Sequence, residues 1–81
     1  MKIQIYSTHT CHYCKALKEY LDEKKVSYEN TFVDDDPKAG EEMVKKTNQM
    51  GVPVTIVTSD ENKEEIVIGF DKEKINSLLG L

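Results

Sequence analysis

The chain contains no arginine; all eleven of its basic residues are lysine. It therefore lacks the planar, five-donor fork that clamps carboxylates and phosphates bidentately. It also lacks any long apolar run, so no segment reads as a membrane-spanning helix. Acidic residues outnumber basic ones, fifteen to eleven, for a formal charge of −4. That balance is the reverse of a nucleic-acid footprint, which is a basic face. The acids gather in two places, Asp34-Asp35-Asp36 with Glu41-Glu42 and Asp60-Glu61 with Glu64-Glu65, and both read as solvated surface. Internal repeats, linkers and low-complexity tracts are missing as well. Eighty-one residues then make one domain, 1–81, with a single modest core. The opening Met1-Lys2-Ile3-Gln4-Ile5 has no signal-peptide profile, and the expectation is a cytoplasmic monomer.

Cysteine is scarce too. The only two are Cys11 and Cys14, in Cys11-His12-Tyr13-Cys14. In a reducing compartment such a pair is catalytic or metal-binding more often than a structural staple. Its placement sharpens the reading. Residues 2–6 alternate, with Ile3 and Ile5 on one face, and predict a strand. After the polar connection Ser7 to Thr10, with Thr10 as the expected cap, apolar positions recur at Tyr13, Ala16, Leu17, Tyr20 and Leu21. That spacing predicts a helix from Cys11 to about Lys25, with Tyr13 either partly packed on its inner face or bordering a groove. A helix N-terminus stabilises a thiolate, the reactive form of cysteine.

Residues 27–33 predict a second strand, and Asp34-Asp35-Asp36-Pro37 a second helix start, because proline suits the first turn. That helix runs to about Thr47 with Ala39, Met43, Val44 and Thr47 inward. Asn48 to Val52 is a loop, followed by Pro53. Residues 54–58 and 64–68 predict an antiparallel hairpin across the polar turn 59–63. Asp71 is a good cap for a last helix carrying Ile75, Leu78 and Leu79 and stopping at Gly80. The order β-α-β-α-β-β-α predicts an α/β fold: a four-stranded mixed sheet flanked by helices, with the first two strands parallel. It puts Cys11 at the carboxyl edge of the first strand, where ligands bind in open α/β sheets.

Two further motifs accompany the cysteines: Gly51-Val52-Pro53-Val54, and Ile68-Gly69-Phe70-Asp71 just before the last helix. With these three motifs in this order, the whole chain resembles a glutaredoxin, in particular the small glutaredoxin-like redoxins of bacteria and archaea. The resemblance implies a thioredoxin-like fold and a thiol–disulfide oxidoreductase with no bound cofactor. It implies glutathione as reductant or substrate, and disulfide-containing proteins as partners. Cys11 then looks like the nucleophile and Cys14 like the resolving cysteine. Tyr13 matches the family's active-site aromatic. Val52-Pro53 matches a Val-Pro step whose proline is cis, the Val backbone pairing with the substrate cysteine. Gln49 matches a position that holds the glycine carboxylate of glutathione, and Gly69, Phe70 and Asp71 fall where its γ-glutamyl end is gripped.

The departures bear on the electron donor. His12 replaces the family's active-site proline, Thr8 stands where many relatives carry a glutathione-binding lysine, and Met50 where arginine is frequent. Phe70 replaces the second glycine of a Gly-Gly pair. A Gly-Phe step is similar to redoxins that serve ribonucleotide reductase and draw electrons from thioredoxin reductase. Some relatives also carry selenocysteine at the position of Cys11. His12 reads either as an imidazolium beside the thiolate or as an exposed first-turn residue; Lys15 adds positive potential or is simply exposed. The competing function class is metal binding (zinc, copper or an iron–sulfur cluster) through His9, Cys11, His12 and Cys14. One contiguous stretch rarely wraps tetrahedrally around zinc, and there is no second cysteine pair. The expectation is therefore no metal, with His9 a solvent-facing loop residue.

Overall fold

A computed structural model describes residues 1–49 and 51–80. The elements follow in the order β1 (Lys2–Ser7), α1 (His12–Glu23), β2 (Glu29–Phe32), α2 (Pro37–Thr47), β3 (Val54–Thr58), β4 (Glu64–Ile68) and α3 (Lys72–Leu79). The sheet order is β2-β1-β3-β4, with β1 and β2 parallel and the other pairings antiparallel. This is the four-stranded mixed sheet and thioredoxin-like arrangement that the resemblance implies.

The period-2 alternation of the central strands sends side chains to two cores. On one face Ile3, Ile5, Val57 and Val67 meet Leu17 and Leu21 of α1 and Ile75 of α3. On the other, Tyr6, Val54 and Ile56 meet Ala39 and Met43 of α2. Each fully buried Leu or Ile contributes about 1.5–3 kcal/mol of transfer free energy, which suffices to hold three short helices against a small sheet.

The helix ends follow local chemistry. The Asp36 carboxylate accepts the N–H groups of Lys38 at 3.1 Å and Ala39 at 3.3 Å, and Pro37 occupies the first turn. Asp71 accepts from Lys74 N–H at 3.1 Å. Gly80, at φ 70°, closes α3 in the left-handed region that favours glycine.

Three expectations need correction. Thr10 does not cap α1; Cys11 does, one residue later, with extended φ −86° and ψ 112°. The helix is also shorter than expected, ending at Glu23, and β2 begins only at Glu29. Lys25 adopts φ 59° and Val26 N–H returns to the Leu21 carbonyl at 2.9 Å, so residues 24–28 leave the helix and reach the sheet edge. Finally, Tyr13 is not inward. It is 68 % exposed, and Cys14, three positions before Leu17, takes the buried place on the face shared with Leu17 and Leu21.

Candidate active site

β1 ends at Ser7, which is fully buried; its hydroxyl donates to Asn30 Oδ1 at 2.6 Å and its carbonyl accepts Val33 N–H at 2.9 Å. The chain then turns through Thr8–Thr10, and Cys11 N–H reaches back to the Thr8 carbonyl at 3.4 Å. The turn delivers Cys11 to the head of α1, where the first N–H groups have no intrahelical partner. The Cys11 sulfur takes one of them: Cys14 N–H donates to Cys11 Sγ at 3.1 Å. A hydrogen bond to the anionic form of a group favours that form.

The two sulfurs occupy different surroundings. Cys11 is half-buried, whereas Cys14 is fully buried; both are free thiols. Burial, reinforced by hydrogen bonding with Cys11 and by its charge, pushes the Cys14 thiol up from 9.0 to about 11. The backbone of Thr8 and the charge of Lys18 act in the opposite direction and do not offset this. At neutral pH Cys14 is therefore a thiol.

The distant motifs converge on Cys11. Its sulfur lies 3.8 Å from the Val52 carbonyl oxygen, 41 positions along the chain. The Val52–Pro53 peptide bond is cis, as the resemblance implies. Pro53 is buried, and its carbonyl accepts Gly69 N–H at 2.9 Å. Gly69 needs its freedom here, at φ 74°. Thus Cys11, Val52, Pro53 and Gly69 form one connected edge.

The remaining candidates are placed less directly. Tyr13 and His12 are exposed on the first turn of α1, and Lys15 is an exposed residue whose N–H closes on the Cys11 carbonyl at 3.2 Å. Gln49 is exposed, with its N–H on Thr47 Oγ1 at 3.2 Å. Phe70 packs against Tyr20, ring centroids 5.9 Å apart, beneath Lys72. Asp71 caps α3. Met50 lies outside the described residues.

The sequence offers His9 as a solvent-facing loop residue or a metal donor; in the structure it makes a different, dense set of contacts. Its ring approaches Asp34 and Asp35 and stacks on Phe32 with centroids 3.8 Å apart. The spacing of residues offers no signal for this, since the partners come from the far end of β2. His9 thus faces the two aspartates and Cys14 is buried, so His9, Cys11, His12 and Cys14 are not gathered at one point in this structure. Among the described residues, the one group of three or more such donors within reach of each other is His9, Asp34 and Asp35, all exposed.

Comparisons with known proteins agree with this geometry. The family model described as Glutaredoxin matches residues 3–61. The glutaredoxin-like 8.6 kDa protein of the rubredoxin operon of Clostridium pasteurianum is 44% identical over 77 residues, covering 95% of this chain and 96% of its own. Among solved structures, Methanosarcina acetivorans methanoredoxin superposes with a TM-score of 0.84 at 29% identity, covering 99% of this chain and 85% of its own. The glutaredoxin-like NrdH-redoxin of Escherichia coli, with its thioredoxin-like activity profile, superposes with a TM-score of 0.79 at 28% identity, covering 96% and 95%. With a family model spanning most of the chain and a relative matching nearly end to end, this chain belongs to the glutaredoxin family and is a glutaredoxin-like redox protein.

Proposed function

We propose that the chain is a thiol–disulfide oxidoreductase that reduces protein disulfides or glutathione mixed disulfides, with Cys11 attacking and Cys14 resolving. The observation that carries this reading is the inequality of the two sulfurs: Cys11 caps α1 and accepts Cys14 N–H, while Cys14 is buried and its thiol is pushed up to about 11. Cys14 keeps its proton at neutral pH, and Cys11 is the more accessible sulfur, the one that accepts a backbone N–H at the helix start.

The Cys11 thiolate attacks one sulfur of the substrate disulfide. A Cys11–substrate disulfide forms, and the other substrate sulfur leaves as a thiolate. Cys11 has then lost its charge, and with it one of the causes that hold the Cys14 proton. Cys14 gives up that proton and attacks Cys11 Sγ. The second substrate sulfur leaves and is protonated, and the Cys11–Cys14 disulfide remains. Two electrons have passed to the substrate, and an external dithiol or pair of thiols restores the reduced protein. The Val52 carbonyl beside Cys11 supports docking of the substrate backbone along this edge, with Tyr13, Gln49, Gly69, Phe70 and Asp71 as its borders.

For the electron donor we favour a thioredoxin-reductase-type enzyme over glutathione. Thr8 offers no cation where many relatives carry lysine, and the nearby Asp34 and Asp35 are acidic. Phe70 presents an aromatic ring packed on Tyr20 instead of a bare glycine backbone. The test is reduction of the oxidised protein by thioredoxin reductase with NADPH, set beside reduction by glutathione. Faster reduction by the reductase supports the reading; efficient reduction by glutathione alone contradicts it.

A further inference from the structure

We propose that His9 is a positioning residue for Cys11, latching the loop that presents the cysteine to the turn between β2 and α2, and that protonation of its ring tightens the latch. The proposal rests on the reading of Cys11 as the attacking sulfur.

The geometry is specific about the proton. His9 Nδ1 lies 3.2 Å from Asp34 Oδ1 and 3.0 Å from Asp34 Oδ2, and His9 Nε2 lies 3.5 Å from Asp35 Oδ2. Both ring nitrogens therefore face carboxylates. An ionised carboxylate only accepts, and a neutral imidazole carries a single N–H. One nitrogen of a neutral ring would set a lone pair against a carboxylate oxygen. The imidazolium sets an N–H toward each carboxylate, in hydrogen-bond contact at Asp34 and as a longer ion pair at Asp35. Asp34 is kept ionised first by the His9 backbone N–H, 3.1 Å from Oδ2, which holds its carboxyl below the usual range. The ring also stacks on Phe32 at 3.8 Å and 15°, a face that favours a cation.

The other charged neighbours are accounted for. Lys18 of α1 places Nζ 4.6 Å from the Phe32 centroid and competes for that ring. Asp36 is engaged by the first N–H groups of α2. The backbone contact from His9 to Asp34 survives loss of the ring proton, so deprotonation loosens the latch without releasing it. Thr8, whose carbonyl accepts Cys11 N–H, is the residue immediately before His9, so the looseness is transmitted directly to the cysteine. Histidine as a residue type changes charge between about pH 5 and 8, so that is the range over which the latch is tested.

The test reads the latch without relying on redox activity. Amide hydrogen exchange of His9, Thr10 and Cys11 is followed by NMR from pH 5 to 8, corrected for intrinsic base catalysis, with the buried Ile56 amide as a control for global opening. In the wild type, protection should fall by roughly three- to fivefold as pH rises, the size expected for an exposed but well-oriented ion pair. In His9→Gln, and separately in the Asp34→Asn/Asp35→Asn double variant, the profile should be flat. A second readout is kcat/KM for a disulfide substrate over the same range, whose pH dependence should differ between wild type and His9→Gln. A wild-type exchange profile that is flat, or that persists in His9→Gln, overturns the latch. Loss of the kinetic difference with the exchange profile intact would place the fault in the reading of Cys11.

Discussion

The backbone N–H of Cys14 points at the sulfur of Cys11 from 3.1 Å, so that, in the roles we propose, the resolving cysteine supports its partner while its own thiol is held protonated. One short segment thereby sets two chemical roles. The sulfur at the cap faces the exposed helix end, and the sulfur one turn on is sealed beneath it.

The raised Cys14 thiol predicts a pH signature in stability. In the unfolded chain the thiol ionises near 9.0, whereas in the fold it holds its proton to about 11. Between these values the unfolded state binds fewer protons than the folded one, so stability falls as pH rises through that window. Below it this group contributes no slope. The full loss is at most roughly 2–3 kcal/mol. Urea titrations of the reduced protein between pH 8 and 11 should show the fall, and a Cys14→Ala variant should lack that part of it.

Thr55 predicts a gain. It is 2 % exposed on β3, between Ile5 and Val67, and its Oγ1 has no hydrogen-bond partner among the described residues. A buried, unpaired hydroxyl costs about 1–3 kcal/mol. Thr55→Val keeps the shape and removes the hydroxyl, and should raise stability by about 1 kcal/mol. A higher denaturation midpoint with unchanged slope would bear this out; a lower midpoint would show that the hydroxyl is satisfied.

Asp71 permits a separation of roles. It caps α3 through Lys74 N–H, and it also borders the edge that we assign to substrate. Asp71→Ala should cost about 0.5–2 kcal/mol of stability, and Asp71→Asn much less, because asparagine caps equally well. If Asp71 also contacts substrate through its charge, Asp71→Asn should raise KM while leaving the melting temperature nearly unchanged. An unchanged KM in Asp71→Asn would leave Asp71 as a cap alone.

Much of this was legible in the sequence, element by element. Asp36-Pro37 punctuates α2 unmistakably, because an acceptor and a fixed φ are both helix-start devices. The polar run 59–63 between two β-branched stretches could only be a hairpin, and Asp71 and Gly80 bracket α3. Periodicity failed at α1's first turn. It allowed Tyr13 inward because Tyr13 and Cys14, four and three positions before Leu17, both border the face that Leu17 and Leu21 bury, and only the fold decides that Cys14 takes that place. Thr10 lost the cap to Cys11 because capping preference ranks residue types, while the length of the preceding turn decides which residue arrives there. The His9 contacts with Asp34 and Asp35 were illegible for a different reason. They join two loops across 25 positions, and only the parallel pairing of β1 with β2 brings those loops together.

The most direct test of the central claim is to trap the first intermediate. Cys14→Ser should accumulate a mixed disulfide with a disulfide substrate, visible by mass spectrometry and mapped to Cys11, and should lose dithiol turnover. Cys11→Ser should form no such adduct and show no disulfide reduction. Adduct on Cys14 in the Cys11→Ser protein, at a rate equal to that on Cys11 in Cys14→Ser, would contradict the assignment of attacking and resolving sulfurs.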